Sequence, residues 1–223
     1  MNDLAAGYFA RYIVPDVPPV GKVLDLGCGT GTLLKELLKR GGTEVVGMDI
    51  NSYPEWDALR KSGIRVKAVT EKNFIPFMEK ELPDTVTMTW VLHHMDYIEQ
   101  ERYLIAMFSA LKPGSRAVVL EDAYSEKLPP EKGKKLYDDF MTLSVEDRKR
   151  VMGVFDWVAN RVLEQREKIP MPFGYRTLEE WQALFVKIGF TVTKTRFLGF
   201  PEDRDVNNGQ SVLVAIKIDH KIS

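Results

Sequence analysis

The side chains able to do chemistry fall at the ends of short apolar runs. Asp25 stands in Val23-Leu24-Asp25-Leu26, and Gly27, Cys28, Gly29 and Gly31 follow at once. Asp49, with Ile50 behind it, closes the run Glu44 to Met48. Trp90 lies near the end of Asp84 to Leu92, which leads into His93-His94, and Glu121, Asp122 and Tyr124 follow Ala117 to Leu120. Glycines suit a tight turn because a missing Cβ frees the backbone and lets a ligand lie against it. A helix starting behind such a turn adds free N–H groups that point at whatever binds. A carboxylate about twenty residues further on, as Asp49 is, can accept both hydroxyls of a ribose. His93, Glu121, Asp122 and Tyr124 are the candidates for taking or holding a proton in catalysis. No metal is expected: the chain has three histidines and one cysteine, and no histidine/carboxylate group shows ligand spacing.

These positions require a scaffold of alternating strands and helices. Val23 to Leu26 reads as a strand buried on both faces, and Leu33, Leu34, Leu37 and Leu38 recur at helical spacing up to Gly41-Gly42. Further strands are expected over 44–49, 64–69, 84–92 and 117–120. Ser52-Tyr53-Pro54-Glu55 reads as a capping box opening a helix that ends at Gly63. A helix over 99–111 stops at Lys112-Pro113-Gly114, and an amphipathic one over 1–14 stops before Pro18-Pro19. Thr177-Leu178-Glu179-Glu180 caps a last helix, and strands 190–197 and 211–218 suggest an antiparallel hairpin. In an open sheet of this kind ligands sit at the strand C-termini beside the switch point, here between the first and fourth strands.

The glycine spacing decides between two ligand classes. A dinucleotide turn needs G-x-G-x-x-G, and Thr32 occupies its third glycine position. Residues 23–31, VLDLGCGTG, instead resemble the first motif of the class I S-adenosylmethionine-dependent methyltransferases residue for residue. Val91-Leu92-His93-His94 and Leu111-Lys112-Pro113-Gly114 resemble later motifs of the same family. The resemblance covers roughly residues 20–122 by motif and 177–218 by layout. It implies a Rossmann-like, doubly wound α/β fold: a seven-stranded, mostly parallel sheet with an antiparallel C-terminal hairpin and a helical insertion. It also implies S-adenosyl-L-methionine as cofactor, held by Asp25, Gly27, Cys28, Gly29 and Gly31, with Asp49 and Ile50 at the ribose. Glu71 stands at the family's adenine-side acid, followed by Ile75-Pro76-Phe77 in place of a Leu-Pro-Phe-like segment. Trp90 and His93 fall beside the methionine end. The N-terminal helix either covers the site, as is frequent in the family, or simply packs on the sheet.

Composition bounds the rest. A chain of 223 residues, 44% hydrophobic and with a net charge of −1, suits one soluble domain over 1–223 and gives no global basic field for nucleic acid. A single cysteine excludes an intramolecular disulfide. No apolar run reaches membrane-spanning length and MNDLAAGYFARY lacks a signal pattern, so a cytoplasmic setting is expected. Residues 125–176 read as an inserted helical cap whose Met152, Phe155, Trp157, Met171, Phe173 and Tyr175 could line an acceptor pocket. The function expected is methyl transfer to a small-molecule acceptor by in-line displacement. A nicotinamide-dependent oxidoreductase of Rossmann type, and a non-catalytic S-adenosylmethionine-binding module, remain as alternatives.

Overall fold

The computed structural model describes residues 2–41, 43–167, 169–200 and 208–218, with the side chains of 2–4 and 71 outside that description. Its seven strands are β1 (Gly21–Leu26), β2 (Thr43–Asp49), β3 (Arg65–Ala68), β4 (Thr85–Thr89), β5 (Arg116–Asp122), β6 (Phe190–Gly199) and β7 (Gln210–Lys217). They form one sheet in the order β3-β2-β1-β4-β5-β7-β6. The pairs β1–β2, β2–β3, β1–β4 and β4–β5 are parallel, while β7 runs antiparallel between β5 and β6. The chain reverses direction across the sheet between β1 and β4, which leaves a crevice at their C-terminal ends.

Helices cover both faces, which is why the parallel strands read as unbroken apolar runs. On one face Leu24, Leu26, Val86 and Met88 pack with Leu104, Met107 and Phe185 from α5 (Tyr97–Ala110) and α8 (Leu178–Ile188). On the other, Val23, Val118 and Leu120 meet Phe9, Leu33, Leu37 and Trp56 from α1 (Asn2–Tyr12), α2 (Thr32–Lys39) and α3 (Trp56–Lys61). Among the described residues no helix is long and apolar enough to cross a membrane.

Two local expectations need correction, and one helix is new. The Ser52–Glu55 capping box does not form; α3 begins at Trp56 with no side-chain cap. Ile75-Pro76-Phe77, to which the sequence reading gives no secondary structure, lies inside α4 (Glu71–Glu81). Phe74 and Met78 bury into the core from that helix, and this apolar anchoring outweighs the lost N–H of Pro76. The fourth strand stops at Thr89, because Trp90 turns into left-handed backbone (φ +55°) ahead of a single 3-10 turn, Leu92–His94.

Between β5 and α8 the chain builds a cap of two helices. These are α6 (Lys134–Met141) and α7 (Val145–Trp157), and α7 runs on into a π-helical turn, Val158–Leu163. Ser144 starts α7 by accepting from the Asp147 amide, as N-cap serines do. The cap has its own apolar cluster of Tyr124, Phe140, Met152, Tyr175, Phe197 and Phe200. Its two ends are clasped: the Leu178 amide donates to the Tyr124 carbonyl (2.8 Å) and the Ser125 hydroxyl to the Glu179 carboxylate (2.5 Å).

Candidate active site

A cavity of about 1110 Å³ lies at the C-terminal ends of β1, β2, β4 and β5, beneath α1 and the cap. The glycine turn forms one wall. Gly27 and Cys28 donate their amides to the Met48 carbonyl (2.8 and 2.9 Å), which ties the turn to β2. Two glycines there do different work. A Cβ on Gly31 (φ +83°) would sit 2.3 Å from Leu59 Cδ1, so this glycine serves packing and does not line the cavity. Gly29 (φ +51°) lines the cavity, and a Cβ there would meet nothing within 4 Å.

Gly31→Ala should therefore lose stability and Gly29→Ala ligand affinity. Left-handed backbone costs a non-glycine roughly 1–2 kcal/mol, and the Leu59 clash adds roughly 1–3 kcal/mol of overpacking. A melting point lower by roughly 5–15 °C is expected for Gly31→Ala. Gly29→Ala carries only the backbone cost but fills the open space with a methyl. Thermal melts with and without S-adenosylhomocysteine check the pair; an unaltered ligand-induced rise in Gly29→Ala would move the ligand off this turn.

Asp49, at the end of β2, is buried and binds the turn from the side. Its Oδ2 accepts from the Gly29 amide and its Oδ1 from the Asn51 amide, both at 2.9 Å. Burial raises its pKa, while those amides pull it back. Ile50 beside it lines the cavity mouth with 65% of its surface exposed. Asp25 sits deeper, its Oδ1 accepting from the Thr87 hydroxyl at 2.7 Å. Burial pushes its pKa up to about 7, with the Thr87 hydrogen bond opposing and the Asp49 charge adding.

The opposite wall comes from the ends of β4 and β5. Trp90 lines the cavity and its indole N–H donates to Gln210 Oε1 (2.5 Å). Asp122 also lines it, accepting from the side-chain amides of Asn208 (2.7 Å) and Gln210. Glu121 is placed differently from the expectation for a catalytic acid: it does not reach the cavity. Its Oε1 accepts from the Val91 and Leu92 amides (2.9 and 2.7 Å) and its Oε2 meets His93 Nδ1 at 2.6 Å. It is a positioning residue that fixes the ring of His93.

His93 faces the cavity with Nε2 3.7 Å from Asp156 Oδ1. Burial works against its charge, but the Glu121 and Asp156 carboxylates hold its pKa well above the usual histidine value. A ring held between two carboxylates in this way is poorly suited to take up a further proton. His94 is pushed down to about 4 by burial and by the neighbouring His93 charge, and its Nδ1 contacts the Pro170 carbonyl at 3.0 Å.

Tyr124 is not brought to the cavity; it lies in the cap cluster, with the Arg148 guanidinium 5.5 Å from its ring centroid. Glu71 opens α4, and its side chain lies outside the described residues. The cap does line the cavity, but not through the aromatic set expected. Asp156, Asn160, Leu163, Arg166 and Ile169 face it; Met152 and Tyr175 are buried within the cap, and Phe155, Trp157 and Phe173 are exposed. Once Asp156 points inward, Phe155 and Trp157 fall about 100° to either side of it on the helix. Asp156 is held by Asn160 Nδ2 (2.7 Å to Oδ1) and by the Tyr175 hydroxyl (3.0 Å to Oδ2). Asp156, Asn160, Asn208 and Gln210 were not legible in the sequence, since only the folded cap and hairpin bring them beside β4 and β5.

A family model described as "Methyltransferase domain" matches residues 5–195. An uncharacterized methyltransferase of Geobacillus kaustophilus is 31% identical over 128 residues, 56% of this chain and 58% of its own length. The ubiquinone/menaquinone biosynthesis C-methyltransferase of Vibrio vulnificus is 31% identical over 169 residues, 62% of this chain and 63% of its own. The chain thus spans under two thirds of either relative. Among solved structures, a SAM-dependent methyltransferase from Archaeoglobus fulgidus superposes with a TM-score of 0.61 at 16% identity, covering 97% of this chain and 95% of that one. The 1,6-didemethyltoxoflavin-N1-methyltransferase of Burkholderia thailandensis, solved with its substrate and S-adenosylhomocysteine, gives 0.59 at 16% identity over 96% and 83%. The chain belongs to the methyltransferase domain family, with the fold of the class I S-adenosylmethionine-dependent enzymes.

Proposed function

We propose that this protein moves the methyl group of S-adenosylmethionine onto a small-molecule acceptor bound under the cap. The observation that supports this most is the single cavity of about 1110 Å³ joining the glycine turn to the polar cap wall. Pockets for one small ligand run to roughly 300–1,000 Å³, so the volume suits a cofactor with a modest acceptor beside it. The residues fit the cofactor. Gly29 leaves open space where a Cβ would intrude, and Asp49, fixed by two amides, retains lone pairs for ribose hydroxyls. Asp25, Cys28 and Trp90 would complete that half.

When bound, the cofactor supplies an activated methyl sulfonium, so the protein need not create an electrophile. Its part is to hold the acceptor atom in line and keep water out. His93 is held between the Glu121 and Asp156 carboxylates, and Asp122 is engaged with two side-chain amides, so the cavity favours an acceptor that reacts as an anion or a neutral amine. Asp122 and His93 are proposed to orient that acceptor, with Glu121 acting through His93.

Titration calorimetry should show S-adenosylhomocysteine binding and NAD failing to bind, since Thr32 fills the third dinucleotide glycine. Incubation with S-adenosylmethionine and a metabolite library, read by mass spectrometry for gain of one methylene, then identifies the acceptor. Binding of NAD with none of S-adenosylhomocysteine would overturn the proposal.

A further inference from the structure

Asn208, just ahead of β7, lines the cavity with its side chain only 3% exposed. Both hydrogens of its amide are used: Nδ2 donates to Asp122 Oδ2 at 2.7 Å and to the Met152 carbonyl at 3.2 Å. Those two acceptors fix the orientation, because a flipped amide would set its oxygen against a carboxylate and a carbonyl. Oδ1 is left buried, with no hydrogen-bond partner among the described residues. A buried acceptor without a donor is costly, and few persist in folded proteins. A hydrogen-bond donor on a bound molecule would satisfy it.

A second acceptor stands close by. In an α-helix the carbonyl of residue 152 points at the amide of residue 156, so the Asn208 side chain sits beside the turn of α7 that carries Asp156. Asp156 lines the same cavity. Asn160 and Tyr175 fill one site on each of its oxygens, and a carboxylate offers about four sites in all. Burial opposes its charge, but the His93 ring beside it holds its pKa below the usual aspartate value, so it accepts hydrogen bonds and does not donate them.

This pair of oxygens selects among ligands. An anion has no hydrogen to give and would meet the carboxylates of Asp122 and Asp156. A hydroxyl has one hydrogen. An amino group has two, one for each oxygen, and keeps its lone pair. It must be neutral, since an ammonium has no lone pair left to take a methyl group. Alkylamines are protonated near pH 7, whereas an amino group on an aromatic ring is not. Phe9 and Trp90, with ring centroids 5.1 Å apart, line the cavity and offer such a ring an aromatic surface. Trp90 is tied to this corner through Gln210, which also donates to Asp122.

We propose that Asn208 and Asp156 form the subsite for a primary amino group on an aromatic ring, with Asn208 Oδ1 and the Asp156 carboxylate each taking one N–H. The subsite rests on the methyltransferase reading and makes the acceptor an aromatic amine.

The test uses the full chain saturated with S-adenosylhomocysteine and three monosubstituted benzenes as probes: aniline, phenol and benzoate. Ligand-observed NMR titration reads their binding. Aniline should bind, phenol roughly tenfold more weakly and benzoate not at all, because a site built around N–H donors rejects analogues that lack them. Asn208→Leu keeps the volume and removes the oxygen, so it should weaken aniline binding roughly tenfold. If that variant melts early, the ranking of the three probes on the parent chain decides alone. Phenol or benzoate binding as tightly as aniline, or none of the three binding, overturns the subsite, as does unaltered aniline binding by folded Asn208→Leu. S-adenosylhomocysteine affinity is measured first on the same samples. Its absence defeats the methyltransferase reading, and its presence without aniline binding defeats the subsite alone.

Discussion

Asp49→Ala should raise the dissociation constant for S-adenosylhomocysteine by roughly 10–100-fold, the largest effect of any single acid in the cavity. Hydrogen bonds to a charged group are worth about 1.5–3 kcal/mol each, and tenfold in affinity is about 1.4 kcal/mol. The carboxylate stands at the tip of β2 with both oxygens fixed, Oδ2 by Gly29 and Oδ1 by Asn51. Alanine removes the ribose acceptor and also releases the two amides that shape the turn. Calorimetry on the folded variant, with circular dichroism as the control, gives the answer. A change of less than about threefold, some 0.6 kcal/mol, would reduce Asp49 to a brace for the turn.

The second large effect lies in stability and its dependence on pH. Asp25 is buried and its pKa stands near 7, against 3.8 for an ordinary aspartate. In the folded chain the proton stays on up to that higher value, while the unfolded chain has already released it. The native state therefore binds more protons across this window, and stability must fall as pH rises from about 4 to about 7. At 1.36 kcal/mol per pH unit, the gap is worth roughly 4 kcal/mol. Asp25→Asn keeps the size and an oxygen for the Thr87 hydroxyl but cannot ionise, so its stability should stay flatter over the same range. Urea unfolding of both proteins near pH 4 and pH 8 checks this, and parallel losses would remove Asp25 as the cause.

The sheet was legible because both its faces are covered. Unbroken runs such as Val45–Met48 and Val118–Leu120 have no other soluble home, and the glycine turn between β1 and α2 is written in adjacent residues. Boundaries failed where tertiary contacts won. No helix was read around Pro76, yet Phe74 and Met78 anchor one there. The fourth strand was read three residues too far, since nothing local in Thr89-Trp90-Val91 announces the left-handed turn at Trp90. In the site, strand-end acids could be found by position, but not what each touches. Glu121 and Asp122 are neighbours in sequence and point to opposite sides of β5, so one braces His93 and the other faces the cavity. Asp156 had no signal at all. It lies 62–63 residues beyond the two histidines it meets, on a helix whose aromatic residues drew the eye outward.

The clasp between Tyr124–Ser125 and Leu178–Glu179 has a consequence for how this protein can change over time. Those bonds hold the departure and return points of the cap together whatever lies between them. Closing a longer segment across such fixed ends costs only about 0.6 kcal/mol for each doubling of its length. The sheet, and with it the turn at Gly29 and Asp49, is thus insulated from insertions, deletions or wholesale replacement of residues 126–176. A lineage can exchange the entire segment facing the acceptor, and so its choice of acceptor, without reinventing the machinery beneath. The acceptor is then the trait expected to diverge first among relatives, and similarity confined to the sheet carries little information about it.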